Sequence, residues 1–354
     1  MFGSLRRHTN RRLVYLRSAT YIESSLDPRA ETAASIWSFS RVSEPVVHCI
    51  SVPNPYFEGT NSVYLIEGDP LTLIDSGMCF DEARQALENS LTELGFRFED
   101  IGRIILTHKH IDHVGQAATI QERSGATVYI HQQDRAEVQG MEAGQREFVD
   151  DIRRLLHEWG TPQSQMELLA GSVETNGWTA DSVVAEELND GQTLPFGEHT
   201  MEVIHTPGHT LGCICLRMGR YLFTGDTVLP GISPNVGGGE LQGDGLLRVF
   251  FESLEKVSQL QDSDTLAMPG HGASFAELAP RCRMLIDHHR QRLDEIRQLL
   301  ADGQPRTIYD IASSLFGTMK HIHLMLGTAE ANSHLEYLEE QGELIREDGR
   351  YRKR

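Results

Sequence analysis

From Val46 onward the chain alternates short apolar runs with turn residues, and the spacing inside those runs separates strands from helices. VVHCISVPNP is followed by NSVYLIEGDPLTLIDSG, in which two apolar runs flank Gly68, Asp69 and Pro70 and so predict a β-hairpin. Between Asp81 and Leu94 the apolar positions, Ala83, Leu87, Leu91 and Leu94, take helical spacing. RIILTH (Arg103 to His108) reads as a short buried strand, and a helix followed by ATVYIH continues the alternation. Residues 137–190 break it, with helical spacing and the acids Glu142, Glu147, Asp150, Asp151, Glu158 and Glu167 opposed only by Arg146, Arg153 and Arg154. A helical insertion between strands is a natural lid, with Leu155 and Trp159 as its apolar part. Strands resume from Glu187 in TMEVIHTPGH, GCICLRMG and RYLFTGDTVL, and a helix from Leu246 to Leu260 and the strand TLAMPGHG close the large unit, residues 43–279.

Residues 280–354 read as a separate small domain. A long helix (Arg281 to Asp302), a breaker from Gly303 to Pro305, two further helical segments and a strand pair turning at Asp348-Gly349 give the order of a winged helix. Its would-be recognition helix carries Glu330, Glu336, Glu339 and Glu340, which favours contact with protein, such as a second copy in a homodimer, over contact with DNA. Residues 1–42 are Arg-rich, with no acid before Glu23, and read as a flexible leader outside the core in preference to a transit peptide.

At 354 residues the chain exceeds what one core usually holds, so a large domain plus a small one is expected. A formal charge of −19 disfavours nucleic acid and leaves a small molecule as the expected substrate. No apolar run reaches the ~18 to 20 residues needed to cross a bilayer. The five cysteines, Cys49, Cys79, Cys213, Cys215 and Cys282, are scattered and form no CxxC pair, as expected of reduced thiols in a cytoplasmic protein.

The chemistry concentrates in THKHIDHVG, where His108, His110, Asp112 and His113 follow an apolar strand. Imidazole and carboxylate suit zinc, manganese or iron, and alternation by two is expected to keep His108 and His110 on one side. Downstream, His209 in TPGHTLG, Asp226 in FTGDT and His271 in MPGHG each end a strand-like run beside glycine, which lets backbone approach an ion closely. No GxSxG, HExxH or P-loop competes with these residues.

HxHxDH followed by PGHT, GDT and PGHG, in this order, resembles the metallo-β-lactamase superfamily over about Val46 to Ala279. With the C-terminal unit included, the chain is similar to the branch of β-lactamase-like protein 2. The resemblance implies a four-layer αββα sandwich of α/β class holding two divalent metal ions, zinc foremost. It implies His108, His110 and His209 on one ion, Asp112, His113 and His271 on the other, and Asp226 bridging. Asp75, in LIDSG, matches the aspartate that supports the HxHxDH loop. Two such ions share a water and supply hydroxide at neutral pH, with Asp112 as the catalytic residue that orients it or passes its proton on. The expected reaction is hydrolysis of an ester-like bond, such as a thioester or lactone. The alternatives are a metal-dependent endoribonuclease and a mononuclear iron persulfide dioxygenase. Tyr56, Phe57 and Asn61 near the first hairpin, and Ser233, Asn235 and Val236 in the loop after Asp226, are the expected substrate contacts.

Overall fold

The computed structural model describes residues 12–16, 19–24, 35–40, 44–55, 59–176, 180–237, 240 and 245–354. Nine strands lie side by side in chain order in the first sheet: β1 (Arg12–Leu16), β2 (Ala19–Ser24), β3 (Ile36–Ser40), β4 (Val47–Asn54), β5 (Gly59–Ile66), β6 (Thr72–Ile74), β7 (Arg103–Ile105), β8 (Thr127–His131) and β9 (Ala185–Leu188). Pairing is antiparallel as far as β6 and parallel from β6 to β9. The change of direction follows from the connections. Parallel neighbours need crossovers, and here these carry α1 (Asp81–Leu94), then α2 (Ile111–Val114) and α3 (Ala117–Ser124), then α4 (Gln132–Gln139), α5 (Met141–Glu158) and α6 (Gln163–Asn176). The hairpin across Gly68 to Pro70 is β5 paired with β6, and α1 has the span its apolar spacing predicts.

The second sheet runs β10 (Thr193–Phe196), β11 (His199–His205), β12 (Ile214–Met218), β13 (Tyr221–Gly225) and β14 (Leu266–Pro269), with α7 (Leu246–Ser258) crossing between the parallel pair β13 and β14. The chain closes with α8 (Leu278–Leu299), β15 (Arg306–Thr307), α9 (Ile308–Phe316), α10 (Ile322–Glu340), β16 (Leu344–Glu347) and β17 (Arg350–Lys353). Thr307 and Asp310 cap the start of α9 reciprocally, each side chain accepting the other's backbone N–H at 3.0 Å. Asp348 and Gly349, both at positive φ, make the two-residue turn between β16 and β17.

Three apolar cores define four layers. Leu73, Ile104, Val128 and Ile130 of the first sheet pack against Leu87 and Leu91 of α1 and Ile120 of α3. The opposite face of that sheet, with Tyr64, Ile74 and Ile105, meets Met201, Leu216, Phe223 and Met268 of the second. Beyond the second sheet, Ile204, Cys215 and Leu222 pack on α7 and α8. The result is an αββα sandwich.

Two expectations are corrected by packing. Ile36 and Phe39, inside the expected leader of residues 1–42, are buried on β3 in the first sheet, so that segment reaches the core. The insertion is helical, but Ile152, Leu155, Leu156 and Trp159 pack in the same core as α9 and α10 and do not present an apolar face to an open pocket. The C-terminal elements α8, α9 and α10 contribute to a core that also includes residues of α5 and α7. All five cysteines are unpaired thiols, four of them buried. Among the described residues no helix is long and apolar enough to cross a membrane.

Candidate metal centre

Every one of the seven candidate ligands lies just beyond a strand end, on the same edge of the sandwich. The chain leaves β7 at Ile105 and bends through 107–109, so His108 and His110 meet through a loop and not through strand alternation as expected; His108 Nε2 and His110 Nδ1 are 3.1 Å apart. Asp112 and His113 follow on the single turn of α2. His209 comes after β11, Asp226 directly after β13 and His271 after β14. Glycine is required where the strands converge: a Cβ on Gly270 would lie 2.3 Å from Asp226 Oδ1 and 2.8 Å from His113 Cε1.

Four of the five imidazoles are tied on their outer side. Asp75, held at φ 59°, accepts Thr107 N–H at 2.8 Å, the Thr107 hydroxyl at 2.9 Å and His113 Nδ1–H at 2.8 Å. The Thr107 hydroxyl proton is thereby spent on Asp75, so His108 Nδ1–H donates to Thr107 Oγ1 at 3.1 Å. His209 Nδ1–H donates to the Asn235 carbonyl at 2.7 Å, and His271 Nδ1–H to the Thr60 carbonyl at 2.9 Å. These four outer bonds leave Nε2 of His108, His113, His209 and His271 as inward lone pairs, which is how outer partners orient metal-binding histidines.

The inward atoms form groups able to hold a metal ion: His108, His110 and His209; Asp112, His113 and His271; and, between them, His108, His113 and Asp226. Asp226 touches both of the first two groups, with Oδ2 at 3.6 Å from His209 Nε2 and 3.4 Å from His271 Nε2, and Oδ1 at 3.6 Å from His113 Nε2. His113 Nε2, His209 Nε2 and Asp226 Oδ1 are buried without a hydrogen-bond partner. Buried polar atoms are rarely left so, and cations held by these groups would answer them. The donor set fits a divalent transition metal.

The electrostatics point the same way. Burial, then neighbouring imidazoles, hold His108 and His110 well below the usual histidine range, and burial also lowers His209. Burial acts downward on His113 and His271 too, but carboxylates outweigh it: Asp112, Asp226 and Asp75 raise His113 well above its ordinary value, and Asp226 and Asp112 push His271 up to about 10. Asp112 and Asp226 in turn stay below the usual carboxylate range despite burial, because His113 and His271 face them. A metal ion binding at Nε2 of these two histidines would have to displace any proton there.

Several participants carry no motif. Asn61, an expected substrate contact, is buried and donates from Nδ2 to Asp112 Oδ2 at 3.1 Å, and Asn54 donates to the same oxygen at 3.2 Å. Lys109, inside HxHxDH, pairs through Nζ with Glu137 at 2.6 Å and with buried Glu240 at 2.9 Å. Asp134 accepts Lys109 N–H at 3.0 Å, the Thr210 hydroxyl at 2.8 Å and Gly212 N–H at 2.8 Å, joining the first and second ligand loops. Ser233 and Asn235 face α8 and α10, and Val236 is buried in the core with them. Tyr56 and Phe57 lie outside the described residues.

Residues 56–271 match the family model of the metallo-beta-lactamase superfamily. The chain belongs to that superfamily. It is 30% identical over 309 residues to the probable metallo-hydrolase YqjP of Bacillus subtilis, covering 83% of this chain and 92% of YqjP. Among solved structures, the metallo-beta-lactamase family protein TTHA1429 of Thermus thermophilus superposes with a TM-score of 0.75 at 30% identity, covering 87% of this chain and 98% of that one. A beta-lactamase domain protein of Burkholderia ambifaria shares the fold, with a TM-score of 0.74 at 24% identity over 94% of this chain and 96% of its own. The superfamily implies divalent metal ions, and the His and Asp groups above are where this chain can hold them.

Proposed function

We propose that this metal-dependent hydrolase holds two divalent ions, zinc foremost, and hydrolyses an ester-like bond, a thioester or lactone, in a small molecule. His108, His110 and His209 would hold one ion and Asp112, His113 and His271 the other, with Asp226 shared. The observation that carries this reading is the position of Asp226, whose two oxygens reach both groups while one of them is buried without a partner. Bound ions lower the pKa of water into the neutral range and polarise a carbonyl oxygen.

The chain's own residues do the rest. Asn54 and Asn61 fix Asp112 through Oδ2, and the carboxylate so held takes the proton from the attacking water. As the new C–O bond forms and the C–S or C–O bond to the leaving group breaks, that proton passes to the departing thiolate or alkoxide. Asp75 keeps His113 in the tautomer that presents Nε2 inward. The net charge of −19 favours a neutral acyl group over a polyanion.

The test is a substrate panel of acyl thioesters, lactones, β-lactams and single-stranded RNA, assayed before and after chelation and again after adding zinc. Turnover of a thioester or lactone that chelation abolishes and zinc restores is the expected result. Cleavage of RNA that depends on Asp112 and His209, with no ester turned over, would replace this reading with the ribonuclease.

A further inference from the structure

The loop after Asp226 does more than border the site. Asn235 gives its carbonyl to His209 Nδ1–H at 2.7 Å, while its side-chain amide turns the other way and donates to Glu330 Oε2 at 2.8 Å and to the Leu326 carbonyl at 3.1 Å, both on α10. One residue thus touches a candidate ligand with its backbone and the C-terminal helix with its side chain. Two positions earlier, Ser233 is held from α8. The Glu330 carbonyl can only accept, so His334 donates to it from Nδ1 at 2.7 Å and its Nε2 must accept. His289 therefore donates from Nδ1 to His334 Nε2 at 3.1 Å, and its own Nε2 accepts the Ser233 hydroxyl at 2.9 Å. The chain of bonds has a single direction from Ser233 to α10. His288, His289 and Glu330 are close enough to suggest a metal group, yet both His289 nitrogens and the Glu330 carboxylate already have partners within the protein.

We propose that Glu330 and Asn235 are positioning residues that set the orientation of His209 from α10, so that the C-terminal elements tune how tightly the ion on His108, His110 and His209 is held. Resting as it does on the reading of His209 as a ligand, this goes beyond it by giving the C-terminal helix a role at the centre. The physical route is short. Without the Glu330 acceptor the Asn235 amide loses its better partner, the peptide carrying its carbonyl is free to rotate, and His209 loses the bond that fixes both its ring and its tautomer.

The full-length protein, stripped and titrated with zinc alone against a competing chromogenic chelator, supplies the test. Asn235→Ala and Glu330→Ala should each raise the dissociation constant of one of the two ions by about 10- to 100-fold, the range typical of partners one step behind a ligand. The double variant should be little worse than either single one, since both break the same link. Glu330→Gln, which keeps an acceptor oxygen, should bind zinc like the wild type. Should Glu330→Ala not fold, Asn235→Ala decides alone, because the carbonyl that meets His209 is still present. His209→Ala serves as the reference. If it loses zinc while Asn235→Ala and Glu330→Ala bind as the wild type does, the α10 link is wrong and the metal reading stands. If His209→Ala itself binds zinc unchanged, both fail. Equal weakening in Glu330→Gln and Glu330→Ala would also overturn the link, since the hydrogen bond would then not be what matters.

Discussion

Two buried clusters of histidine and acid lie on either side of the loop at 233–236, and they are built on opposite principles. At the sandwich edge, outer bonds tie His108, His113, His209 and His271 so that their other nitrogens converge, and two of those nitrogens and one Asp226 oxygen end without a partner. Between α8 and α10, His289 and His334 pass a directed chain of hydrogen bonds in which both nitrogens of each ring are used. Both clusters combine histidine with acid, but only the first keeps lone pairs for an ion. What distinguishes a ligand site is convergent atoms that the protein itself leaves unanswered.

Breaking the first cluster should give the largest effects. Asp226→Ala, removing the residue that touches both groups, should weaken zinc binding more than the ~100-fold upper range of an outer partner and abolish hydrolysis; unchanged zinc content by elemental analysis would contradict its shared position. Asp75→Ala should cost about 10- to 100-fold in zinc affinity by freeing His113, with Asp112, His113 and His271 losing their ion first. Chelator competition resolves the two steps, and equal loss from both would contradict the specific link to His113.

The second cluster should respond in stability and not in metal count. His289→Leu strands His334 Nε2 and leaves the Ser233 hydroxyl only the Pro234 carbonyl at 3.2 Å, and should destabilise the fold by about 1–3 kcal/mol in urea unfolding, the usual cost of orphaned buried groups. At saturating zinc the number of ions bound per chain should not change, whereas loss of a whole ion would mean the cluster is a third metal site.

Smallest is the pH effect. Burial, then the neighbouring His334, pushes His289 down to about 2, and burial holds His334 at about 4, so both stay neutral in the fold. The unfolded chain protonates them first, near ~6.5, so their contribution is lost as pH falls from there. Glu330 runs the other way. Burial, opposed by Arg292 and Asn235, raises it to about 7, so the fold holds its proton longer than the unfolded chain and that contribution is lost as pH rises from ~4.5 through 7. The stability of wild type minus that of Glu330→Gln should therefore fall between ~pH 4.5 and 7. A difference that is flat or rising over that window would contradict the assignment.

Sequence reading reached what is local. The helical spacing of Ala83, Leu87 and Leu91 and the turn residues at Gly68 to Pro70 and Asp348-Gly349 predict elements that the structure contains, because each depends on neighbours within a few positions. The candidate ligands were legible because an ion restricts the side chains that can meet it, and the structure brings these His and Asp residues into groups able to hold one. Their outer partners were not: Asn54 reaches Asp112 across 58 positions and Asn235 reaches Glu330 across 95, and asparagine at a loop carries no signal of where its amide will go. Glu330 reads as one of the acids on a protein-contact face of its helix, yet it turns inward against Asn235. Trp159 and Leu155 read as a lid for a similar reason, since an apolar helix face does not name the surface it covers, and here that surface is the core shared with α10.

The central claim is that Asp226 joins two ion-holding groups, and metal stoichiometry tests it most directly. Purified protein reconstituted with zinc, washed free of excess and analysed for metal against protein concentration should contain about two ions per chain, and Asp226→Ala should retain markedly fewer. A wild type that saturates at a single ion, with Asp226→Ala binding it equally well, would contradict the account.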